Sequence, residues 1–172
     1  PHRGNRRGND PPAGRGVRAL VNIVLIEPEI PQNTGNIART CAVTGATLHL
    51  VEPMGFRPTE RNLKRAGCDY WNDVEIVRWP CAEQFFAGHG EDELHLFTGN
   101  CSTAYTDASY GADTFLVFGR ESRGLEERWL EQFAARCVRI PMREGQRSLN
   151  LSNAVAIGAY EALRQQGFAG LC

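Results

Sequence analysis

Six short apolar runs punctuate the chain, each closed by turn-forming residues, and they predict strands at 22–26, 47–51, 74–77, 94–98, 114–118 and 138–140. Helix-period segments lie between them. The first spans 34–44, with Asn33 as its cap and Gly45 as its stop, and a second follows Thr59 and ends at Gly67. Others are predicted at 81–87, ahead of Gly88, at 125–133, and at 151–165, which closes at Gly167. Strands alternating with helices predict an α/β fold: a mainly parallel six-stranded sheet with helices on both faces. Residues 21–172 form one domain on this reading.

The last helix carries a second pattern. Ala154, Gly158 and Ala162 recur every four residues and leave one face nearly without bulk. Two uses fit such a face equally well: a dimer contact, or close packing on the chain's own sheet.

Three segments that follow strands are dense in Gly, Asn, Ser and Arg: PQNTGNIART at 31–40, VFGRESRGL at 117–125 and RIPMREGQRSLNLSNA at 139–154. Ligands of open α/β proteins bind beyond the carboxyl ends of the strands, so these loops predict one composite polar site. In the first, Asn33 either caps the helix or orients a ribose or phosphate. Arg39 either forks onto a phosphate or is a solvated helix charge. In the second, Gly119 permits close approach to the main chain and Gly124 a tight turn, while Glu121 either accepts hydrogen bonds from a ligand or pairs with an arginine. In the third, Arg147, Ser148, Asn150, Ser152 and Asn153 crowd the start of a helix, where one polar side chain suffices as a cap. The surplus points to a site.

Other chemistries find little support. GRESRG is not a GxGxxG fingerprint, and neither a P-loop nor an HExxH occurs. His2, His49, His89 and His95 lack metal-ligand spacing, so no metal is expected. The six cysteines are scattered without a CxxC pair and read as reduced thiols of a cytoplasmic protein, and Cys101 lacks a base partner for a nucleophile's role. The run ALVNIVLI is interrupted by Asn22 and too short to span a bilayer, so it reads as a buried first strand and no membrane association is expected.

Charge changes one part of this picture. Residues 1–20 hold five arginines (Arg3, Arg6, Arg7, Arg15, Arg18) against Asp10, a net of +4, so the remainder carries −5 of the total of −1. The tail is rich in Gly and Pro and reads as a disordered basic extension. A body at −5 has no bulk attraction for phosphate. Binding of a phosphate-bearing ligand would rest on local patches, and the candidates are Arg61, Lys64 and Arg65 on the second helix with Arg120, Arg123, Arg143 and Arg147.

In order along the chain, NTGNIART, FGRESRGL and RIPM followed by RSLNLSNA resemble the motifs of the SPOUT methyltransferases, in the branch that methylates ribose 2′-hydroxyls of RNA. IEPEIPQNTGNIA and VEPMGF are similar to the subgroup acting on the wobble nucleotide, position 34, of tRNA. The resemblance covers 21–167. It implies a C-terminal deep trefoil knot and S-adenosyl-L-methionine bound among the knotted loops, with S-adenosylhomocysteine as product. It also implies a homodimer with composite active sites and a tRNA anticodon stem-loop as substrate. Carried over by motif, Phe97 or Thr98, Gly119, Ile140, Ser148 and Leu149 surround the cofactor, and Asn33, Arg39, Glu121 and Asn150 serve catalysis. A guanidinium is a reluctant base, so Arg39 is expected to hold a phosphate and stabilise the developing alkoxide. The FGR here departs from the FGP common in the subgroup, so Arg120 bears on the shape of that turn. The same chemistry on ribosomal RNA and a nonenzymatic RNA-binding dimer are the competing readings.

Overall fold

Every strand of the sheet runs parallel to its neighbours. The strands are β1 (Val21–Ile26), β2 (Thr47–Val51), β3 (Ile76–Trp79), β4 (Leu94–Phe97), β5 (Thr114–Phe118) and β6 (Cys137–Val138), in the order β3-β2-β1-β5-β4-β6. The structure is a computed structural model that describes residues 21–57 and 71–172. The tail, the helix expected between Thr59 and Gly67, and its candidates Arg61, Lys64 and Arg65 lie outside the described residues. Helices α1 (Pro31–Thr44), α2 (Ala82–His89), α3 (Glu127–Gln132) and α4 (Leu151–Gln165) complete the frame.

Side chains alternate along a strand, and here both faces are covered. Ile23 and Leu25 of β1 and Leu116 and Phe118 of β5 pack with Ile37, Ala38 and Cys41 of α1 and with Val155, Ala159 and Leu163 of α4. Val24, Ile26, Phe115 and Val117 face the other way, onto Phe85 and Phe86 of α2 and Trp129 of α3. Phe86 stacks on Trp129 with ring centroids 4.3 Å apart. Burial on both faces is why these strands read as continuous apolar runs rather than alternating ones.

The small-residue face of α4 packs on its own sheet. A Cβ added at Gly158 would stand 2.7 Å from Phe97 Cζ and 3.5 Å from Phe118 Cζ, and Ala162 is fully buried. Close packing on the sheet occupies that stripe at Gly158 and Ala162.

Several boundaries differ from the sequence expectation, three of them with a bearing on the site or the sheet. Helix α1 starts at Pro31 with Ile30 as its cap position, so Asn33 lies inside the first turn. Proline at a first helical position is preorganised for the helix and sacrifices no bonded N–H. Strand β3 sits two residues later than expected, and β6 is shorter, at Cys137–Val138. Beyond β6, Arg139 leaves β4 and pairs with a different segment: its N–H donates to Thr103 O at 2.9 Å and its carbonyl accepts from Tyr105 N at 2.8 Å. The end of β6 therefore runs between β4 and the chain that follows β4.

His49 of β2 is a buried core histidine. Trp79 Nε1 donates to its Nδ1 at 3.1 Å, which leaves Nε2 to donate to Asn22 Oδ1 at 3.3 Å and fixes a neutral ring. Burial, with His89 nearby, pushes its pKa down to about 4. Its ordinary value is near 6.5, so between those values the unfolded chain holds a proton that the native chain does not. Stability must fall as pH drops through that window, by about 2 kcal/mol at pH 5. Urea unfolding of the wild type and His49→Gln at pH 7 and pH 5 checks this: the variant should lose much less on acidification, and an equal loss would absolve His49.

Candidate functional site

Strand order reverses direction at β1: β2 and β3 lie to one side of it, and β5, β4 and β6 to the other. Chain leaving β1 and β5 therefore diverges and opens a crevice at the carboxyl edge of the sheet. The cleft there has a volume of about 600 Å³. It is lined by Ile30 and Asn33 after β1, 97–100 after β4, 118–125 after β5, and residues between Ile140 and Ala154 on the way into α4.

A chain of polar side chains ties three of these segments together. Glu121 accepts from Glu29 N at 2.8 Å, Ile30 N at 3.1 Å and Asn33 Nδ2 at 3.2 Å. Asn33 Oδ1 accepts in turn from Asn150 Nδ2 at 3.0 Å. Asn150 caps α4 through Oδ1, which accepts from Ser152 N at 2.9 Å and Asn153 N at 3.4 Å. A reciprocal clasp runs beside it: Glu29 accepts from the Ser122 amide and hydroxyl, each at 2.9 Å. The Ser122 bonds, backbone first, hold the Glu29 carboxyl below its usual range.

The turn after β5 is closed by two main-chain bonds, Arg120 N to Gly124 O at 3.1 Å and Gly124 N to Arg120 O at 2.8 Å. It folds so tightly that a Cβ on Gly119 would lie 2.1 Å from the Gly124 carbonyl carbon, and Gly124 itself has φ +71. Only glycine fits at the first position, and the second favours it. Arg120 does not face a ligand as a bare cation; it is ion-paired with Glu27 and Glu126.

All six residues expected around a cofactor, Phe97, Thr98, Gly119, Ile140, Ser148 and Leu149, line this one cleft, as do Asn33, Glu121, Asn150, Arg123 and Arg147. Arg39 does not. It lies on an exposed position of α1, about 9 Å of helix rise beyond Asn33. Arg143 is exposed on the segment leading to α4. Cys101 donates weakly to the carbonyls of Thr98 and Thr103, and burial pushes its thiol up, which opposes thiolate formation. Ile30, Gly99, Asn100, Leu130 and Met142 also line the cleft and were not expected to. Thr98-Gly99-Asn100 carries the turn signal that marked the other loops. The apolar rim residues have no local signature.

The cleft suits a ligand with apolar faces and a polar frame. Met142 and Leu149 are 41% and 40% exposed at it, large apolar groups that a planar base would cover. Among the described residues, the Ser148 and Leu149 main chains make no hydrogen bond, so their polar groups remain for a ligand.

The sequence model of the SpoU rRNA methylase family matches residues 20–160. A tRNA (cytidine(34)-2′-O)-methyltransferase from Aeromonas hydrophila is 46% identical over 153 residues, 88% of this chain and 97% of the relative. A solved structure bearing on 2-OH methylation of C/U34 on tRNA superposes with a TM-score of 0.81 at 39% identity, covering 88% of this chain and 99% of the other. An AdoMet-bound rRNA methyltransferase from Sinorhizobium meliloti gives a TM-score of 0.75 at 26% identity, over 86% of this chain and 57% of that one.

The relay predicts coupled stabilities. Asn33→Ala leaves Asn150 Nδ2 and one Glu121 lone pair unsatisfied in a half-buried setting and should cost about 1–3 kcal/mol. Asn150→Ala should cost a similar amount, and the double variant less than the sum by about 0.5 kcal/mol or more in urea unfolding. Strict additivity would mean that the Asn33–Asn150 bond carries no energy.

Proposed function

Because the chain belongs to the SpoU rRNA methylase family, we propose that it methylates the ribose 2′-hydroxyl of nucleotide 34, a cytidine or uridine, in the anticodon loop of tRNA. The Aeromonas relative carries this activity on cytidine 34. The observation that carries the reading is the convergence of three polar loops on one cleft at the switch point of the sheet, tied by Glu121, Asn33 and Asn150.

S-adenosylmethionine, when bound, supplies an electrophilic methyl on a sulfonium sulfur and departs as S-adenosylhomocysteine. The cleft residues fit it. Phe97, Ile140, Met142 and Leu149 offer apolar walls for an adenine, and the main chain of Thr98, Gly119, Ser148 and Leu149 offers hydrogen-bonding groups. Asn33, Glu121 and Asn150 hold the walls at fixed spacing, which serves catalysis by orientation. Arg123 and Arg147, both at the cleft, are placed to take RNA phosphates.

Two features of the proposal reach beyond the single cleft. The chain is knotted: the passage of Arg139 between β4 and the segment that follows β4, before the chain turns into α4, supports a deep trefoil. The enzyme is a homodimer with composite sites. Arg39 lies outside the cleft of its own chain, and a second subunit is what would bring it to the reacting hydroxyl. There its guanidinium holds a phosphate and stabilises the alkoxide as the hydroxyl proton passes to solvent water.

Incubation with methyl-labelled S-adenosylmethionine and unmodified total tRNA, followed by mapping of the label, tests the reading. The label should sit on the ribose of nucleotide 34 and protect the adjacent phosphodiester from alkali. Label on a base atom would overturn the ribose assignment, and label confined to ribosomal RNA the tRNA assignment. Arg39→Ala should lower kcat at least about a hundredfold while affinity for S-adenosylhomocysteine stays within about twofold, the pattern of an interaction made in the transition state. Near-normal turnover in that variant would remove Arg39 from the mechanism.

A further inference from the structure

Resting on the methyl-donor reading above, we propose that Arg120 is a positioning residue for the methyl donor. It acts through an ion-pair bridge to Glu27 and Glu126 that fixes the 119–125 turn against the end of β1.

The bridge joins three elements through one cation. Arg120 leaves β5 and pairs with Glu27, the residue after β1, with side chains only 26% and 12% exposed. On its other side stands Glu126 at 3.6 Å, the residue before α3, 43% exposed. Glu126 also accepts from Arg128 Nε at 2.8 Å, which anchors the bridge to α3. Glu27 itself sits at φ 51, a left-handed conformation uncommon for a side-chain-bearing residue. Such a residue persists when its surroundings over-determine it. Here the constraints are the Glu27 N–H bond to Val51 O at 2.9 Å and the ion pair with Arg120.

Transmission to the cleft is short. The main chain of Arg120 is part of the hydrogen-bonded ring with Gly124, and Gly119 and Leu125, immediately outside that ring, both line the cleft. Rotation of Arg120 moves both. Removing the guanidinium leaves Glu27 as a mostly buried carboxylate without its partner, which is far more costly than losing an exposed pair. The nearest relief is for Glu27 to swing outward, and the turn follows. Because the guanidinium is committed to two carboxylates, it has little left for RNA phosphate, which separates Arg120 from Arg123 and Arg147.

Steady-state kinetics and calorimetry of S-adenosylhomocysteine binding on the full chain test this. Arg120→Ala should raise KM for S-adenosylmethionine about tenfold, with kcat and KM for tRNA within about twofold, the signature of lost ground-state binding. Arg120→Lys, which keeps a charge but not the fork, should fall between, at about threefold. Glu27→Gln combined with Arg120→Gln should weaken binding less than the product of the single effects, because both charges leave together. An unchanged KM for the methyl donor in Arg120→Ala, or a change confined to KM for tRNA, overturns the proposal. Wild-type protein that binds no S-adenosylhomocysteine overturns the methyl-donor reading itself, a result distinguishable before any variant is made.

Discussion

The carboxylate of Glu121 sits where α1 begins, and the geometry of the cleft depends on it. The first N–H groups of a helix have no partner within the helix and carry its positive dipole end. Usually a side chain just before the helix satisfies them. Here Ile30 holds that position and has nothing to offer, and an anion from a loop some ninety residues later takes the Glu29 and Ile30 N–H groups just ahead of the helix, together with the Asn33 side-chain amide. These bonds at the entrance to the helix fix the loop after β5 to the loop after β1. Asn150 repeats the device in the other direction: it caps its own helix with its oxygen and spends its nitrogen on Asn33. Two helix starts and one turn are locked by groups that each would have needed a partner anyway.

This economy limits what those residues can do chemically. Among the described residues lining the cleft, Glu121 is the one carboxylate and no histidine is present. With three donors already on its two oxygens, Glu121 is a scaffold more than a proton acceptor. A site without a poised acid or base suits a reaction whose electrophile arrives activated on the cofactor. What such a reaction asks of the protein is orientation, exclusion of water and a cation near the developing negative charge. On the proposed reading, the relay supplies the orientation and the arginines supply the charge.

Local chemistry made the frame legible. Strands β2 and β5 and helix α4 begin and end where apolar runs, Gly signals and caps say they should. The convergence of the loops also followed from the rule for open α/β sheets, because each Gly-rich segment comes after a strand. What could not be read were interactions between distant parts of the chain. Asn33 looks like a cap, being a good one by type, yet Pro31 starts the helix earlier and the Asn33 side chain is spent on Glu121 and Asn150. Arg120 looks like a phosphate ligand, yet Glu27 and Glu126 claim it. The 74–77 prediction for β3 missed the register that Leu48 and Val51 impose on Ile76 and Trp79. The bland and functional readings of the Ala154–Gly158–Ala162 stripe were separable only once Phe97 and Phe118 were seen beneath it.

Selective pairing also resolves the apparent conflict between a net charge of −1 and a polyanionic substrate. Association with RNA follows the local field over a patch, within about 10 Å at moderate salt, more than the total charge. Some cations away from the mouth of the cleft are matched: Arg128 by Glu83 and Glu126, Arg164 by Glu161. Arg120, which also lines the cleft, is matched by Glu27 and Glu126. At the mouth, Arg123 and Arg147, with Arg143 between β6 and α4, make no ion pair among the described residues. These three exposed arginines give the loops around the cleft unpaired positive charge on a chain whose net charge is −1. On the proposed reading, that charge favours RNA phosphate at the cleft over the carboxylate-bearing surface. A uniformly basic protein would gain affinity and lose that discrimination, because nonspecific phosphate contacts grow with every added cation. The acidic body is thus compatible with an RNA substrate and narrows where on the surface it can sit.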